Sequence, residues 1–177
     1  SWRYDPGAMF DLSGQRAIVT GAGSGLGRAI ALGFDARGAT VVAADIDGDA
    51  AQEVADVCAD GVAVEVDVTD VASLRSLRER VQTEYGGYQI LCNVPGINTR
   101  KAVLDLSFEE WREVIRLNLD GMFQAAKTLG EPLVRADNGS VINMASVRGI
   151  DGGPEQSAYS ASKGGVIQLT KVLAAEW

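Results

Sequence analysis

Short apolar runs alternate with amphipathic stretches along nearly the whole chain, and this alternation limits the fold more than any other feature. Arg16-Ala17-Ile18-Val19-Thr20, Thr40-Val41-Val42-Ala43-Ala44-Asp45, Val62-Ala63-Val64-Glu65-Val66, Gln89-Ile90-Leu91-Cys92 and Ser140-Val141-Ile142-Asn143-Met144 read as strands. Between them, Leu26 to Arg37 reads as a helix stopped by Gly38, and a second helix spans about Asp49 to Cys58 with Gly61 after it. A third begins near Val71 and sets Val71, Leu74, Leu77 and Val81 on one face. Ser107-Phe108-Glu109-Glu110 is a capping-box pattern, predicted to open a long helix through Trp111, Ile115, Leu119 and Phe123. A last helix is expected from about Ser157 to the end of the chain. Strands alternating with helices predict an α/β fold: a Rossmann-like, doubly wound parallel sheet that binds ligands at the carboxyl ends of its strands.

At 177 residues the chain is one domain. Residues 1–8 read as a detached N-terminal extension, and 9–177 as the domain proper. The chain has no histidine, which removes Ser-His-Asp triads, Cys-His pairs, His-based zinc sites and any His general base. Proton transfer near neutral pH must then fall to a carboxylate, lysine, tyrosine or cysteine. Cys58 and Cys92 lie far apart with no C-x-x-C partner, so no metal is expected and a cytoplasmic setting fits best. Sixteen basic residues against 24 acidic ones give a net charge of -8, which opposes binding to a phosphate backbone. No apolar run reaches the roughly 18 residues of a membrane helix.

Three motifs carry chemistry. Gly21, Gly23, Gly25 and Gly27 crowd the junction between the first strand and first helix, where backbone N–H groups and a helix N-terminus can receive a pyrophosphate. Ser24 and Leu26 share this turn. Arg28 follows Gly27, which excludes a Walker A loop. Asp45 ends the second strand, eighteen positions after Gly27, where an acid accepts bonds from a ribose 2′-hydroxyl and repels a 2′-phosphate. At about 4 Å and an effective dielectric of 20, that repulsion is about 4 kcal/mol before screening. NAD is thus expected over NADP; Asp45 as a helix N-cap is a compatible second reading. In Tyr159-Ser160-Ala161-Ser162-Lys163, positions i and i+4 share a helix face. A free tyrosine titrates near ~10, so a tyrosine base at pH 7 needs roughly 4 kcal/mol of help. One ammonium at 4–5 Å contributes about 3–4 kcal/mol at the same dielectric. Ser146 ends the fifth strand thirteen positions before Tyr159, where its hydroxyl can meet a substrate oxygen.

From about Phe10 to Trp177 the chain resembles the short-chain dehydrogenase/reductase family. Thr20 to Gly27 matches its T-G-x-x-x-G-x-G, Asp45 its acid for NAD, and Asp67-Val68 its adenine-contacting pair. Asn118 matches the helix Asn, Ser146 the active-site Ser, and Tyr159 with Lys163 the Y-x-x-x-K motif. The resemblance implies strand order 3-2-1-4-5 for this chain, without the family's C-terminal strands. It implies an oxidoreductase that moves a hydride between NAD(H) and an alcohol or ketone. Tyr159 would be the general acid/base, Lys163 would tune it and bind the nicotinamide ribose, Ser146 would hold the substrate oxygen, and Asn118 would support a water relay. It further implies a homodimer or homotetramer paired through about Ser107–Arg135 and Ser157–Trp177.

The family's N-N-A-G appears here as Asn93-Val94-Pro95-Gly96. Asn93 and Gly96 carry over as cofactor contacts. Val94 removes a polar side chain and Pro95 a backbone donor, so a shifted loop beside the ribose and weaker NAD binding are expected. The chain stops at Trp177 inside a helix, and is expected to be truncated relative to the family. Its fifth strand would then be an exposed edge, with Val166, Leu169 and Leu173 bare unless another subunit covers them. Asn98-Thr99-Arg100-Lys101 and Ala174-Ala175-Glu176-Trp177 resemble the sugar-acid and polyol branch, such as gluconate 5-dehydrogenase-like enzymes. Arg100 would then meet a substrate carboxylate; a solvated loop cation is the competing reading. A 3-oxoacyl-carrier reductase is the close rival, though such enzymes more often use NADP. A non-catalytic NAD-binding or interaction protein is an alternative of another class. A methyltransferase fits less well, because Ser146, Tyr159 and Lys163 would have no role.

Overall fold

The structure is a computed structural model that describes residues 10–136 and 138–177. The first eight residues and the expected start at Met9 lie outside the described residues. Five parallel strands, β1 (Arg16–Thr20), β2 (Thr40–Asp45), β3 (Val62–Glu65), β4 (Ile90–Asn93) and β5 (Ser140–Asn143), form one sheet in the order β3-β2-β1-β4-β5. The helices are α1 (Gly25–Asp35), α2 (Gly48–Val57), α3 (Val71–Tyr85), α4 (Phe108–Ile115), α5 (Met122–Val134) and α6 (Ser157–Glu176). This is the expected Rossmann-like α/β architecture.

Side chains of the central strands alternate between two cores, as the period of a strand demands. Ile18, Val42, Ala44 and Leu91 face Leu74, Leu77 and Val81 of α3 and Ala125, Leu129 and Leu133 of α5. Val19, Val41, Ala43 and Cys92 face the other way, toward Ala31 of α1 and Val54 of α2. Burial on both faces explains why these strands read as unbroken apolar runs. The helices start where the sequence offers caps. Asp47 accepts from Ala50 N at the start of α2, and Asp70 from Ala72 N at the start of α3. Ser107 and Glu110 complete the capping box of α4. Gly86, at φ 76°, ends α3 in the left-handed conformation.

One expectation gains a detail and one needs correction. The long helix after Ser107 runs through Trp111, Ile115, Leu119 and Phe123 as expected, but a π-helical turn, Arg116–Gly121, interrupts its regular period between α4 and α5. Gly121 sits close under Val68, where an added Cβ would come within 3.2 Å of its side chain, and the extra backbone residue turns Asn118 fully inward. Val166 is not bare but fully buried, and α6 packs on the π turn with Gly165 fitting against Leu119. Leu169 and Leu173 are half-buried. The fifth strand is an edge, and Ile142 on it is exposed. No helix among the described residues is long and apolar enough to cross a membrane.

Candidate active site

A cavity of about 550 Å³ lies at the carboxyl ends of the strands. Its floor and walls bring together residues more than a hundred positions apart: Gly21, Ser24, Gly25, Leu26, Gly27, Asp45, Asp67, Val68, Gly96, Ser146, Tyr159 and Lys163.

The end of the cavity under β1 and β2 is shaped by backbone. Gly21 adopts φ 68°, a left-handed setting that favours glycine, and its Cα faces the Pro95 ring. A Cβ on Gly27 would lie 1.8 Å from the Gly21 carbonyl oxygen, so α1 can approach the turn only without a side chain there. Asp45 accepts the Gly23 N–H at 2.8 Å and the Asp47 N–H at 3.1 Å. It therefore holds the glycine turn while remaining on the cavity wall. Asp47, not Asp45, caps α2. Gly23 lies behind the wall, with its amide committed to Asp45. Asp67 accepts from both the N–H and the hydroxyl of Thr69 at 2.8 Å, which folds the corner after β3 around the pocket.

The other end is built from side chains. Tyr159 and Lys163 share one face of α6, and the Lys163 ammonium lies 5.9 Å from the centre of the Tyr159 ring. Lys163 is 3% exposed and donates to the Met144 carbonyl at 2.7 Å. Burial holds its pKa below the usual lysine range. Ser146 caps the short 3₁₀ turn Val147–Gly149 by accepting from Arg148 N at 3.2 Å, which leaves its own proton available to a pocket ligand. Gly96 lets the loop after β4 approach closely: a Cβ there would be 3.2 Å from Lys163 Nζ.

Besides Gly23, three residues singled out by sequence do not line the cavity. Asn118 grips the backbone of Ile97, accepting its N–H at 2.8 Å and donating to its carbonyl at 2.9 Å, and donates to Ser162 Oγ at 3.1 Å. It positions the loop rather than facing the pocket. Asn93 lies beneath the floor, accepting from Thr20 Oγ1 and donating to Asn143. Arg100 is exposed on the loop after β4. Conversely, Ile46, Val66, Val94, Pro95, Leu117, Met144 and Ala145 also line the cavity. Of these, only Val94 and Pro95 had a signal, their departure from the N-N-A-G pattern; the Met144 carbonyl that accepts from Lys163 is a backbone group that no side chain announces. Both cysteines are buried, and burial pushes the Cys92 thiol up to about 11. No cluster of three or more metal-ligating side chains occurs among the described residues.

A parallel sheet in this order, with a glycine turn at its first crossover and a Tyr-Lys pair on the same cavity, places the chain in the Rossmann-like α/β class. Residues 15–177 match the model of the short chain dehydrogenase family, and the chain belongs to that family. It is 35% identical over 172 residues to a D-threitol dehydrogenase from Mycolicibacterium smegmatis, covering 95% of this chain and 66% of that protein. It is 36% identical over 167 residues to a 3-oxoacyl-acyl-carrier-protein reductase from Escherichia coli, covering 94% of this chain and 68% of that protein. An uncharacterised oxidoreductase from Thermotoga maritima matches at 36%, with 92% and 65% covered. Among solved structures, one described as a ribose-5-phosphate isomerase from Brucella melitensis 16M superposes with a TM-score of 0.90 at 38% identity, over 94% of this chain and 65% of that one. The chain thus spans about two thirds of the length of these relatives.

Proposed function

We propose that the protein is an NAD-dependent oxidoreductase that interconverts an alcohol and a ketone on a small polyol or sugar acid. The observation that carries this reading is that Asp45, Ser146, Tyr159 and Lys163 line one continuous cavity. The cofactor fits the residues present. The glycine turn leaves room for a pyrophosphate against backbone N–H groups, and Asp45 stands where the adenosine ribose would end. Lys163 is the one basic side chain among the lining residues, and it sits at the opposite end, so nothing offsets Asp45 against a 2′-phosphate. Asp67, Val68, Asn93 and Gly96 complete the nucleotide end, directly or from beneath.

When bound, NAD supplies or accepts the hydride. Tyr159 takes the alcohol proton in oxidation and returns it in reduction. The Lys163 ammonium lowers the cost of the tyrosinate and binds the ribose. Ser146 donates its hydroxyl proton to the substrate oxygen. Asn118 keeps the loop at Gly96-Ile97 against α6, so that Lys163 stays in reach. The D-threitol dehydrogenase relative favours a polyol; the 3-oxoacyl reductase relative supports a second reading, an acyl ketone reduced in the same geometry. We place the protein in the cytoplasm as a homodimer or homotetramer paired through α4, α5 and α6, where Phe108 and Phe123 are exposed.

The test is turnover with NAD and NADP separately, on threitol, gluconate and a 3-hydroxyacyl thioester. NAD should be preferred by about tenfold or more, a charge repulsion of roughly 1.4 kcal/mol after screening. Preference for NADP would remove the Asp45 argument, and NAD binding without turnover on any alcohol would leave a non-catalytic binder.

A further inference from the structure

We infer that Asn143 and Thr170 are positioning residues: with Asn93 they join the strand behind the glycine turn to the helix that carries Tyr159 and Lys163. None of the three lines the cavity. Thr20 Oγ1 donates to Asn93 Oδ1 at 3.2 Å, Asn93 Nδ2 to Asn143 Oδ1 at 3.0 Å, Asn143 Nδ2 to Thr170 Oγ1 at 3.1 Å, and Thr170 Oγ1 to the Val166 carbonyl at 2.8 Å. The run crosses β1, β4, β5 and α6, and every donor points the same way, so each bond polarises the next.

Strands at the centre of a parallel sheet ordinarily carry apolar side chains. Asn93 on β4 breaks that pattern, is 1% exposed, and pairs in register with the half-buried Asn143 of the edge strand β5. An amide buried as Asn93 is costs free energy unless both its ends are satisfied, and here they are.

What the run accomplishes is visible at α6. Met144, next to Asn143, holds Lys163 through its carbonyl, while Asn143 itself holds Thr170. The two grips are seven residues apart, about two helical turns on one face. One attachment would let the helix pivot; two set both its rotation and its sliding against β5. The direction of the Tyr159 side chain into the cavity follows from that setting. At the other end, Thr20 immediately precedes Gly21, and its carbonyl accepts the Val94 N–H at 3.3 Å. The chain of bonds therefore sets the distance between the turn and the Tyr-Lys face.

The catalytic readout of this inference rests on the dehydrogenase reading; a second readout does not. Thr170→Val keeps the shape and removes the hydroxyl, and Thr170→Ser restores it. In the intact protein, Thr170→Val should lower kcat by about tenfold, since small misplacements of reacting groups are costly. The KM for NAD should stay within about twofold and the pH profile should move, because the Tyr-Lys pair shifts while the turn does not. Thr170→Ser should recover most of the rate. Asn143→Leu, which also lacks the donor, should behave like Thr170→Val, and replaces it if that variant does not fold. Unchanged kcat and pH profile in a folded variant, or a loss that Ser does not rescue, would overturn the inference. If the wild-type protein turns over no alcohol, the dehydrogenase reading fails and amide hydrogen exchange decides this one. Exchange at Ser162–Val166 should quicken severalfold in Thr170→Val, and unchanged exchange there overturns the positioning role.

Discussion

At the turn after β1 the cavity is shaped by side chains that are missing, whereas at α6 it is shaped by polar side chains brought from afar. Gly27 allows α1 to come against the Gly21 carbonyl, and Gly21 takes a left-handed setting beside Pro95. The first of those contacts lies within a single turn of the chain. The α6 end depends on Lys163 reaching Met144, on Asn118 reaching Ile97 and Ser162, and on Asn143 reaching Thr170. At Gly27 the first end has no room for an added atom, whereas the second depends on donors that reach across the sheet. The nucleotide end should therefore fail by steric collapse, and the proton-transfer end by loss of rate in a folded protein.

Substitutions should separate the two. Gly27→Ala should have the largest effect: an atom 1.8 Å from a backbone oxygen has to displace the helix. We expect a loss of about 1–3 kcal/mol of stability, seen as a lower Tm, together with loss of NAD binding by titration. Retained NAD affinity would show that the turn is looser than the contact implies. Tyr159→Phe should leave Tm and NAD binding near wild type and reduce kcat by about 10²–10⁴-fold. A comparable fall in NAD affinity would instead place that side chain in nucleotide binding.

The pH dependence sharpens the α6 side. Burial disfavours the Lys163 ammonium, so its pKa lies below the ordinary 10.5. The proposed mechanism needs the charged form, so activity should fall as pH rises through that lowered value. Lys163→Arg retains a charge up to about pH 12, so any residual activity should persist to higher pH. The sign for stability follows as well. A lysine depressed in the folded state binds fewer protons than in the unfolded chain, so this residue opposes folding below its folded pKa, and the penalty fades as pH rises toward 10.5. A limb that does not move in Lys163→Arg would assign the alkaline loss to another group. The smallest effect should come from a site that belongs to neither half. Ser107→Ala removes the capping box of α4 and should cost about 1 kcal/mol in a denaturant melt, with kcat unchanged.

Much of the nucleotide end was legible in the sequence, because its determinants are local. β1 and β2 fall on Arg16–Thr20 and Thr40–Asp45 as read, since strands buried on both faces are continuous apolar runs. The cap at Ser107 was equally plain. The π turn was not, because the apolar period through Trp111, Ile115 and Leu119 is the same with or without an extra backbone residue. Asn118 was singled out by resemblance, but its grip on Ile97 depends on the loop after β4 meeting the π turn. Val166 shows the opposite case: an apolar position on the last helix reads as bare along the chain, and the fold buries it completely.

By itself the sequence determined the order of strands and helices, the places where only glycine fits, and the family. These follow from periodicity and from steric rules that act between near neighbours. Tertiary structure alone decided that the Met144 carbonyl holds Lys163, that Asn118 and Asn93 work from behind the cavity wall, and that Arg100 stays out of it. Those outcomes depend on distances between segments 19 to 73 positions apart. Such distances are set by how the helices settle on the sheet, and no spacing along the chain encodes them.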